Sequence, residues 1–469
     1  MASLATNSDE PLTPTGRLCV RPKLKHIIHC AVGFEKPLDV EAVKSAIQAS
    51  VLLKHPRFCS ILVHDRHGVE HWRKTSVNLD RHLIVIASPV SSSAANDDES
   101  AVNEYLADLS TGPELSTDKP LWEIHFLMAH RCVVFQVHHA LADGTSLMSL
   151  LLSVFRKASD LKAAPTIAPL RRSTDDQRNR TVTAMAAAPL RKVGVLWDSL
   201  MFALKIVMRL FWVRDRKTAI SGGDGVELWP RKIATARFCL EDMRIVKRAV
   251  GDATINDVLS GVISSGISKY LDHRTPKALQ EGLQITGLTI VNLRKQPGLQ
   301  EPSDLARNNP KLHWGNKFGG ILLPIQYKKG GVDPLYHVRR IKVILERKKQ
   351  CMEAHFAYKF GCNVMSYLGS KVAGVFSYRF FCNTSFLISN MVGPQEDVAI
   401  GDNPVTCIRV TSSSLPHALT MHMLSYAGRA DMQVLVAKDI IPDPEFLAQC
   451  FEDALYEMKE AALDTVKPC

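Results

Sequence analysis

Two adjacent histidines, followed four residues later by Asp-Gly, form the part of this sequence whose residue types and spacing best suit chemistry. His138 and His139 end an apolar run, rich in β-branched residues, that begins at Cys132 and is typical of a buried strand. Gly144 releases the backbone, and apolar residues at helical spacing follow it. The sequence therefore predicts a strand, a tight turn and a helix.

Strand geometry separates the roles open to the two histidines. Neighbouring side chains of a strand point to opposite faces, so His138 and His139 are poorly placed to share one metal ion. A two-histidine metal site is therefore not expected. Histidines at a strand end are often only structural; the alternative is that one imidazole faces a cavity as a general base while the other packs in the scaffold. Asp143 can bond across the turn or hold an arginine, which would fix the loop.

Length and charge narrow the class of protein. The 469 residues suit two domains, and 46% hydrophobic with 22% charged residues describes a globular chain. The net charge of +11 is concentrated in a basic stretch from Arg156 to Lys217. Such a stretch can attract nucleic acid, anionic lipid or the phosphates of coenzyme A. Because neither interleaved aromatic residues nor a known nucleic-acid motif accompanies it, we expect no nucleic-acid partner.

Cysteine usage and the first residues indicate a cytosol-facing protein. The eleven cysteines include no CxxC pair, which argues against a zinc ribbon and a disulfide framework. The first ten residues include Asp9 and Glu10 and lack an apolar stretch, so we expect no secretory signal.

Changes in composition suggest where the domains meet. We predict an N-terminal domain over residues 1–170, a basic linker with a helix over 171–230, and a C-terminal domain over 231–469. Strand and helix patterns alternate irregularly in both domains, which predicts a mixed-sheet α/β fold. In the C-terminal domain, Thr254 and Asp257 are spaced as a helix cap. Near its end we predict a three-strand meander of Val405–Val410, His422–Tyr426 and Met432–Val436.

The helix predicted over Val193–Val213 is amphipathic. Asp198, Lys205 and Arg209 fall on one stripe, which a helix on a membrane surface would turn towards water. An ordinary helix packed on the protein is equally open, whereas a spanning helix would have to bury the stripe. In the membrane-surface alternative, the side chains that enter lipid are Leu196, Trp197, Phe202, Leu204, Ile206, Leu210 and Trp212.

The complete string His138-His-Ala-Leu-Ala-Asp-Gly144 fits the HHxxxDG signature of acyltransferases with a chloramphenicol acetyltransferase type of fold. Further blocks along the chain make it resemble the plant wax ester synthase/diacylglycerol acyltransferase family. These blocks, in chain order, are Glu10-Pro-Leu-Thr-Pro14, Pro120-Leu-Trp122, Asn256-Asp257, Asn292-Leu-Arg294, Ser389-Asn390 and Gly393-Pro394.

This resemblance implies two chloramphenicol-acetyltransferase-like domains with an active-site tunnel between them. It implies that His139 is the base, that His138 supports it, and that Asp143 is structural and paired with an arginine, for which we expect Arg294. The residues expected to bind substrate are Gly144, Asn256, Ser389, Asn390 and Arg294. Of these, Asn256, Ser389 and Asn390 are the candidates to donate hydrogen bonds to the developing oxyanion.

The implied reaction moves a fatty acyl group from acyl-coenzyme A to a long-chain alcohol or a diacylglycerol, at the cytosolic side of the endoplasmic reticulum membrane. Acyl-coenzyme A is a co-substrate, and we expect no bound cofactor and no metal. Two alternatives remain open at this point. One is a soluble acyltransferase that acts on small alcohols or amines, and the other is a non-catalytic lipid-binding or membrane scaffold protein.

Overall fold

The computed structural model describes residues 9–90, 97–166, 188–276, 279–294 and 314–466. Within them, most strands form two large mixed sheets, and a small antiparallel sheet has the order β1-β4-β3. The strands are β1 Glu10–Pro11, β2 Ile27–Phe34, β3 Ser60–His64, β4 Glu70–Lys74, β5 Leu83–Ile86, β6 Trp122–Leu127, β7 Cys132–His138, β8 Arg156–Lys157, β9 Arg231–Cys239, β10 Gln284–Asn292, β11 Phe318–Gln326, β12 Phe386–Val392, β13 Val398–Ile400, β14 Asn403–Ser412, β15 Leu419–Tyr426 and β16 Arg429–Ala437.

Helices cover the sheets and connect them. Their bounds follow local signals: Asp39, Asp97 and Asp143 each accept a backbone N–H group at a helix start, as N-caps do. The helices are α1 Pro14–Cys19, α2 Val40–Ala49, α3 Asp98–Thr111, α4 Gly144–Leu151, α5 Ala188–Phe211, α6 Leu240–Ala249, α7 Ile255–Arg274, α8 Pro334–Gln350, α9 Glu353–Cys382 and α10 Pro444–Val466.

The sheet that carries the histidines has seven strands in the order β5-β6-β7-β2-β14-β13-β8. Strand β7 lies between β2 and β6 and is antiparallel to both, and β6 and β7 form a hairpin. Trp122 of β6 belongs to the core, because its ring is buried, stacks on His82 and donates a hydrogen bond to the carbonyl of Phe58.

The second large sheet has six strands in the order β11-β10-β12-β15-β16-β9. Its core is formed with α6, α7, α8 and α10, and includes Val262, Val338 and Phe451. The predicted cap of α7 is confirmed as a reciprocal capping box of Thr254 and Asp257.

The predicted meander is only partly correct. β15 and β16 form the expected antiparallel hairpin, but β14 pairs with β2 in the sheet of the histidines. The strands within residues 398–412, β13 and β14, therefore belong to the seven-stranded sheet, whose other strands come from the N-terminal part of the chain. The domain division at residues 170 and 230 stays a prediction, and the seven-stranded sheet contains strands from both sides of it. Alternation of apolar residues marks a strand without naming its partner, which explains the error.

Helix α9 has no counterpart among the predicted elements. It is interrupted at Gly369, whose φ of 79° lies in the left-handed region that glycine adopts without strain. Its apolar residues lie on several sides: Met365 and Ala373 are buried, whereas Tyr367 and Leu368 are exposed. A single apolar stripe, the usual signal of a helix, is therefore missing.

The membrane-surface interpretation of the predicted helix at 193–213 is partly wrong at the level of side chains. The structure has a helix there, Ala188–Phe211, but Arg209 is buried and does not face water. Phe202, Ile206 and Leu210 are buried too, packed against β11 and the aromatic side chains of α9. The side chains that remain exposed include Trp197, Leu200, Leu204, Lys205 and Trp212.

Arg209 turns inward because polar groups distant in sequence meet it there. Its guanidinium donates to the carbonyl of Asn383 and to the side chains of Asp215, at 2.9 Å, and Thr286. A buried cation with these partners is compensated, which a helical projection of the sequence does not reveal. Among the described helices, none is long and apolar enough to cross a membrane.

Candidate active site

His139 lies immediately beyond β7, at the point where the strand gives way to the turn before α4. Its backbone N–H group donates to the carbonyl of His26 at 2.7 Å, which ties the turn to the segment before β2. The His139 ring packs between the rings of His26 and Phe318, with centroid distances of 4.9 and 5.5 Å. The imidazole is therefore held by elements from three separate parts of the chain.

Asn316 fixes the tautomer of His139. The Asn316 amide nitrogen donates to the His139 carbonyl at 2.7 Å, so its amide oxygen is the atom that faces Nδ1 of the ring, at 2.9 Å. Since this oxygen can only accept, Nδ1 must carry the hydrogen. The lone pair of the neutral ring then lies on Nε2, which is the arrangement that a general base requires.

Burial lowers the pKa of His139 from its usual value, and the charge of Asp143 and the Asn316 hydrogen bond oppose that shift. The net direction is downward, so the imidazole is neutral at neutral pH. A neutral imidazole is the form that accepts a proton.

His138 has a different environment. It is buried, and its Nδ1 accepts the backbone N–H group of Ala140 at 3.1 Å. Burial lowers its pKa to about 3, so it stays neutral. The expected division of the pair is consistent with these contacts, with His138 bonded inside the turn and His139 facing groups from later in the chain.

Asp143 forms a buried ion pair with Arg294, as expected. One carboxylate oxygen accepts from the Arg294 guanidinium at 2.8 Å and from the Lys317 backbone N–H group at 3.0 Å. The other caps α4 through the backbone N–H group of Ser146. Asp143 therefore joins the turn, α4 and the segment that leads to β11, and among the described hydrogen bonds none joins it to the His139 ring.

Arg294 completes the same network from the other side. It donates to the hydroxyl of Ser146 and to the carbonyl of Gly315, at 2.8 and 2.6 Å. Asn292, in the same Asn-Leu-Arg block, accepts from the backbone and side chain of Arg294. With only 6% of Arg294 exposed, the guanidinium holds the segment of Asn316 against the turn, and its expected contact with substrate stays a prediction.

Gly144 faces a methionine. A Cβ atom added there would lie 2.0 Å from Sδ of Met391, so any larger residue would have to displace the Met391 side chain. Both residues line a small apolar cavity of about 50 Å³. The expected contact of Gly144 with substrate stays a prediction.

The three residues expected to donate to the oxyanion lie close to one another, but they form no hydrogen bond with His139 in the described structure. Asn390 donates to the side-chain oxygen of Asn256 at 2.6 Å, and Ser389 lies in register with His422 on the neighbouring strand. Among the described hydrogen bonds, none joins Asn256, Ser389 or Asn390 to His139. Their role as donors to an oxyanion stays a prediction.

Sequence reasoning missed Asn316, Phe318 and His422. His422 is buried, its Nδ1 has no hydrogen-bond partner in the described structure, and burial followed by the proximity of His139 lowers its pKa to about 4. Asn316 and Phe318 belong to Gly315-Asn-Lys-Phe-Gly-Gly320. A polar amide and an aromatic ring among glycines, just before a strand, was the available signal.

An apolar cavity of about 210 Å³ has Phe318, whose ring contacts that of His139, among its lining residues. It runs between β10, β11 and α9 and beneath α5. Gly319 allows β11 and α9 to pack closely, because a Cβ there would lie 2.1 Å from the carbonyl oxygen of Ala354 on α9. Its lining includes Leu18, Phe202, Ile206, Leu288, Leu322, Met365, Phe376 and Phe380. The cavity suits a hydrocarbon chain with its reacting end near His139.

Within the described residues, no three side chains of the metal-ligating types lie close enough together to hold a metal ion.

Comparisons with known proteins show the family of this chain. The chain matches the wax ester synthase/diacylglycerol acyltransferase catalytic domain over residues 33–259 and the WS/DGAT C-terminal domain over residues 314–459. It is 31% identical to wax ester synthase/diacylglycerol acyltransferase 11 of Arabidopsis thaliana, over 98% of this chain and 96% of that protein. Wax ester synthase/diacylglycerol acyltransferase 10 of the same plant is also 31% identical, over 96% of this chain and 97% of the relative.

Solved structures share the fold. The wax ester synthase/diacylglycerol acyltransferase from Marinobacter aquaeolei VT8 matches 96% of this chain and 99% of its own, with a TM-score of 0.59 at 17% identity. The first condensation domain of the calcium-dependent antibiotic synthetase matches 99% and 98%, with a TM-score of 0.58 at 16% identity. The family models and the full-length relatives show that this chain belongs to the wax ester synthase/diacylglycerol acyltransferase family, a family of acyltransferases.

Proposed function

We propose that this protein transfers a fatty acyl group from acyl-coenzyme A to a long-chain alcohol or to a diacylglycerol, with Nε2 of His139 as the general base. The observation that carries the assignment is the reciprocal pair of His139 and Asn316, which puts the ring lone pair on Nε2. The apolar cavity that Phe318 lines supports a substrate with a hydrocarbon chain.

In the proposed reaction, Nε2 of His139 removes the proton of the alcohol hydroxyl while the oxygen attacks the thioester carbonyl. A tetrahedral oxyanion forms, collapses and breaks the carbon–sulfur bond. The imidazolium returns its proton to the departing thiolate, so the products are an ester and free coenzyme A. The thioester is reactive enough that proton transfer at the hydroxyl is the main demand on the protein, worth about 10²–10⁴ in rate.

His138, Asp143 and Arg294 act in this proposal by holding the base. Asp143 and Arg294 lock the turn to the segment of Asn316, and Asn316 locks the ring. His138, neutral and bonded to the Ala140 N–H group, supports the turn. Removing any of them is expected to act on the geometry of His139 and not on a second proton transfer.

We further propose that the reaction takes place at a membrane surface, at the cytosolic face of the endoplasmic reticulum. The substrates do not dissolve in water, and α5 exposes large apolar side chains such as Trp197 and Leu200, 59% and 58% exposed. Exposed apolar side chains in a group are typical of interaction surfaces.

The assignment is tested with purified protein in detergent micelles, palmitoyl-coenzyme A, and hexadecanol or diacylglycerol as acceptor. Wild type is expected to form ester and release thiol, and His139→Ala is expected to lose about 10²–10⁴ in kcat. His138→Ala, the matched neighbour, is expected to retain much more activity for the same amount of folded protein.

Equal thiol release by wild type and His139→Ala would show that another group is the base. Equal losses in the folded His138→Ala and His139→Ala proteins would show that the two imidazoles share the chemistry. Ester formation with small alcohols or amines alone would replace the lipid acceptor, and no ester with any acceptor would favour a scaffold role.

A further inference from the structure

A second, larger cavity lies on the far side of α9 from the apolar one. It has a volume of about 870 Å³ and lies between the segment after α5, the turn before β2 and the C-terminal half of α9. Among the described residues that line the two cavities, Leu210 is the one they share. A ligand in the larger cavity is thus separated by α5 and α9 from the route to His139.

Cations dominate the lining of this cavity. Its two carboxylates are already engaged, Asp215 by Arg209 at 2.9 Å and Asp224 by Lys23 at 3.1 Å. Arg21 pairs with Glu70, which lies outside the lining. The lining contains six cationic side chains: Arg21, Lys23, Arg214, Lys217, Lys371 and Arg379.

Four of the six cations therefore remain without an ion pair in the described structure. Arg214 and Lys217 come from the segment after α5, and Lys371 and Arg379 from α9, so the charges stand on opposite walls. All four are exposed. A concave site with uncompensated positive charge on two walls favours an anionic ligand.

The rim of this cavity is apolar and open to solvent. Phe211 and Val375 line it and are 47% and 54% exposed, and Trp212, beside Phe211, is 70% exposed. The exposed apolar surface continues along α9 through Leu368 and Val372. Cationic groups beside exposed large apolar side chains are the pattern of proteins that bind an anionic lipid surface.

We propose that this cavity binds the terminal phosphate headgroup of phosphatidic acid, with the exposed apolar side chains of α5 and α9 inserted beside it. The inference rests on the proposed action at a membrane and adds to it a defined headgroup site. Bound this way, the membrane lies against the same two helices that cover the apolar cavity lined by Phe318. A lipid substrate then reaches the cavity without crossing water.

The test is vesicle flotation with the full chain. The vesicles are phosphatidylcholine alone, or phosphatidylcholine with phosphatidic acid or with phosphatidylserine, the last two matched in surface charge. The double variant Arg214→Gln/Lys371→Gln removes one cation from each wall. Its matched control, Lys54→Gln/Lys247→Gln, removes two exposed lysines that line none of the cavities described.

Wild type is expected to bind phosphatidic acid vesicles more tightly than the other two kinds. The cavity variant is expected to lose about 30-fold in affinity for phosphatidic acid, the factor that two cations near an anionic surface supply, and the control less than about threefold. Ester synthesis in detergent micelles, which reports on the proposed reaction independently, is expected to be equal in all three proteins.

Equal losses of affinity in both double variants, or equal binding to phosphatidic acid and phosphatidylserine, would show that the general surface charge explains the binding. Either result would overturn the proposed site. Displacement of phosphatidic acid vesicles by free coenzyme A, with a raised KM for palmitoyl-coenzyme A in the cavity variant, would assign the cavity to the co-substrate instead. If the wild type forms no ester in detergent micelles, the proposed acyl transfer is wrong. That result would leave the proposed headgroup site unaffected.

Discussion

The charged groups of the turn after β7, residues 139–143, and those of helix α5 differ in how well the sequence predicts their environment. In the turn, the carboxylate of Asp143 is buried, caps α4 and pairs with Arg294. On α5, two cations four residues apart differ in burial: Lys205 is exposed and Arg209 is buried. Residue spacing thus predicts the environment of the charged group in the turn correctly, and it fails to predict the burial of Arg209 on α5.

The difference comes from where the hydrogen-bond partners lie in the sequence. The Asp143 cap is local, because the accepted N–H group is three residues away on Ser146. Arg209 instead bonds Thr286 and Asn383, which come from β10 and from the residue after α9. A helical projection ranks faces by polarity, and a long-range polar partner reverses that ranking for a single residue.

The largest structural effect is expected from Arg294→Met. The free energy of unfolding is expected to fall by about 3–5 kcal/mol, because the Asp143 carboxylate would stay buried without its cation. Denaturant titration followed by circular dichroism measures it. The matched control is Arg274→Met, whose ion pair with Asp443 is partly exposed and is worth at most about 1 kcal/mol. Similar losses in the two variants would show that the network of the turn adds nothing to an ordinary surface pair.

On α5, Arg209→Met and Lys205→Met test whether the buried cation stabilises the fold more than the exposed cation. Arg209→Met is expected to reduce the free energy of unfolding by about 2–3 kcal/mol, since Asp215 and the Asn383 carbonyl lose a charged donor. Lys205→Met is expected to change it by less than about 0.5 kcal/mol, as exposed substitutions do. The same titration measures both. Equal effects would mean that the two cations share one solvent-facing stripe after all.

The candidate site was predictable to the extent that its chemistry is local. The histidine pair, the strand before it, the turn and the helix after it follow from residue spacing, and the contact of Asp143 with Arg294 was expected from the family's blocks. Asn316 was not found, because its role depends on a contact across 177 residues. Nothing in the residues around Asn316 names His139 as its partner.

The fold was predictable in its elements more than in their pairing. Elements bounded by clear caps were found near their true positions, as with α7 after Thr254. β14 was assigned to the wrong sheet because an alternating strand fits beside any partner of matching register. α9 was missed because apolar side chains on several of its faces hide the helical period.

Asn316→Ala tests the long-range contact that the sequence hid. The variant is expected to lower kcat about tenfold with little change in KM, because the His139 ring loses the partner that fixes its tautomer, worth roughly one hydrogen bond to a buried group. Initial rates in detergent micelles measure both constants. A change in KM alone would place Asn316 in substrate binding, and unchanged kinetics would remove it from the site.

The smallest effect expected is a shift in the acid limb of the pH profile. Since the active form of His139 is neutral, activity falls only when pH drops through its pKa, and burial has lowered that pKa below the usual 6.5. The logarithm of kcat/KM should therefore stay level from neutral pH to below 6.5. Asn316→Ala removes a hydrogen bond that raises the pKa, so its limb should lie at lower pH, whereas Asn316→Asp adds a negative charge and should move it higher.

Folding has to be followed alongside this profile, because other buried histidines also respond to acid. The pKa values of His29, His138 and His417 are each lowered to about 3 by burial, so below about 6.5 the unfolded chain binds protons that the folded chain does not. Stability therefore decreases as pH falls from about 6.5 towards 3. Circular dichroism at each pH separates that loss from titration of the base. A limb above 6.5, or one that ignores both Asn316 variants while the protein stays folded, would mean that the titrating base is not His139.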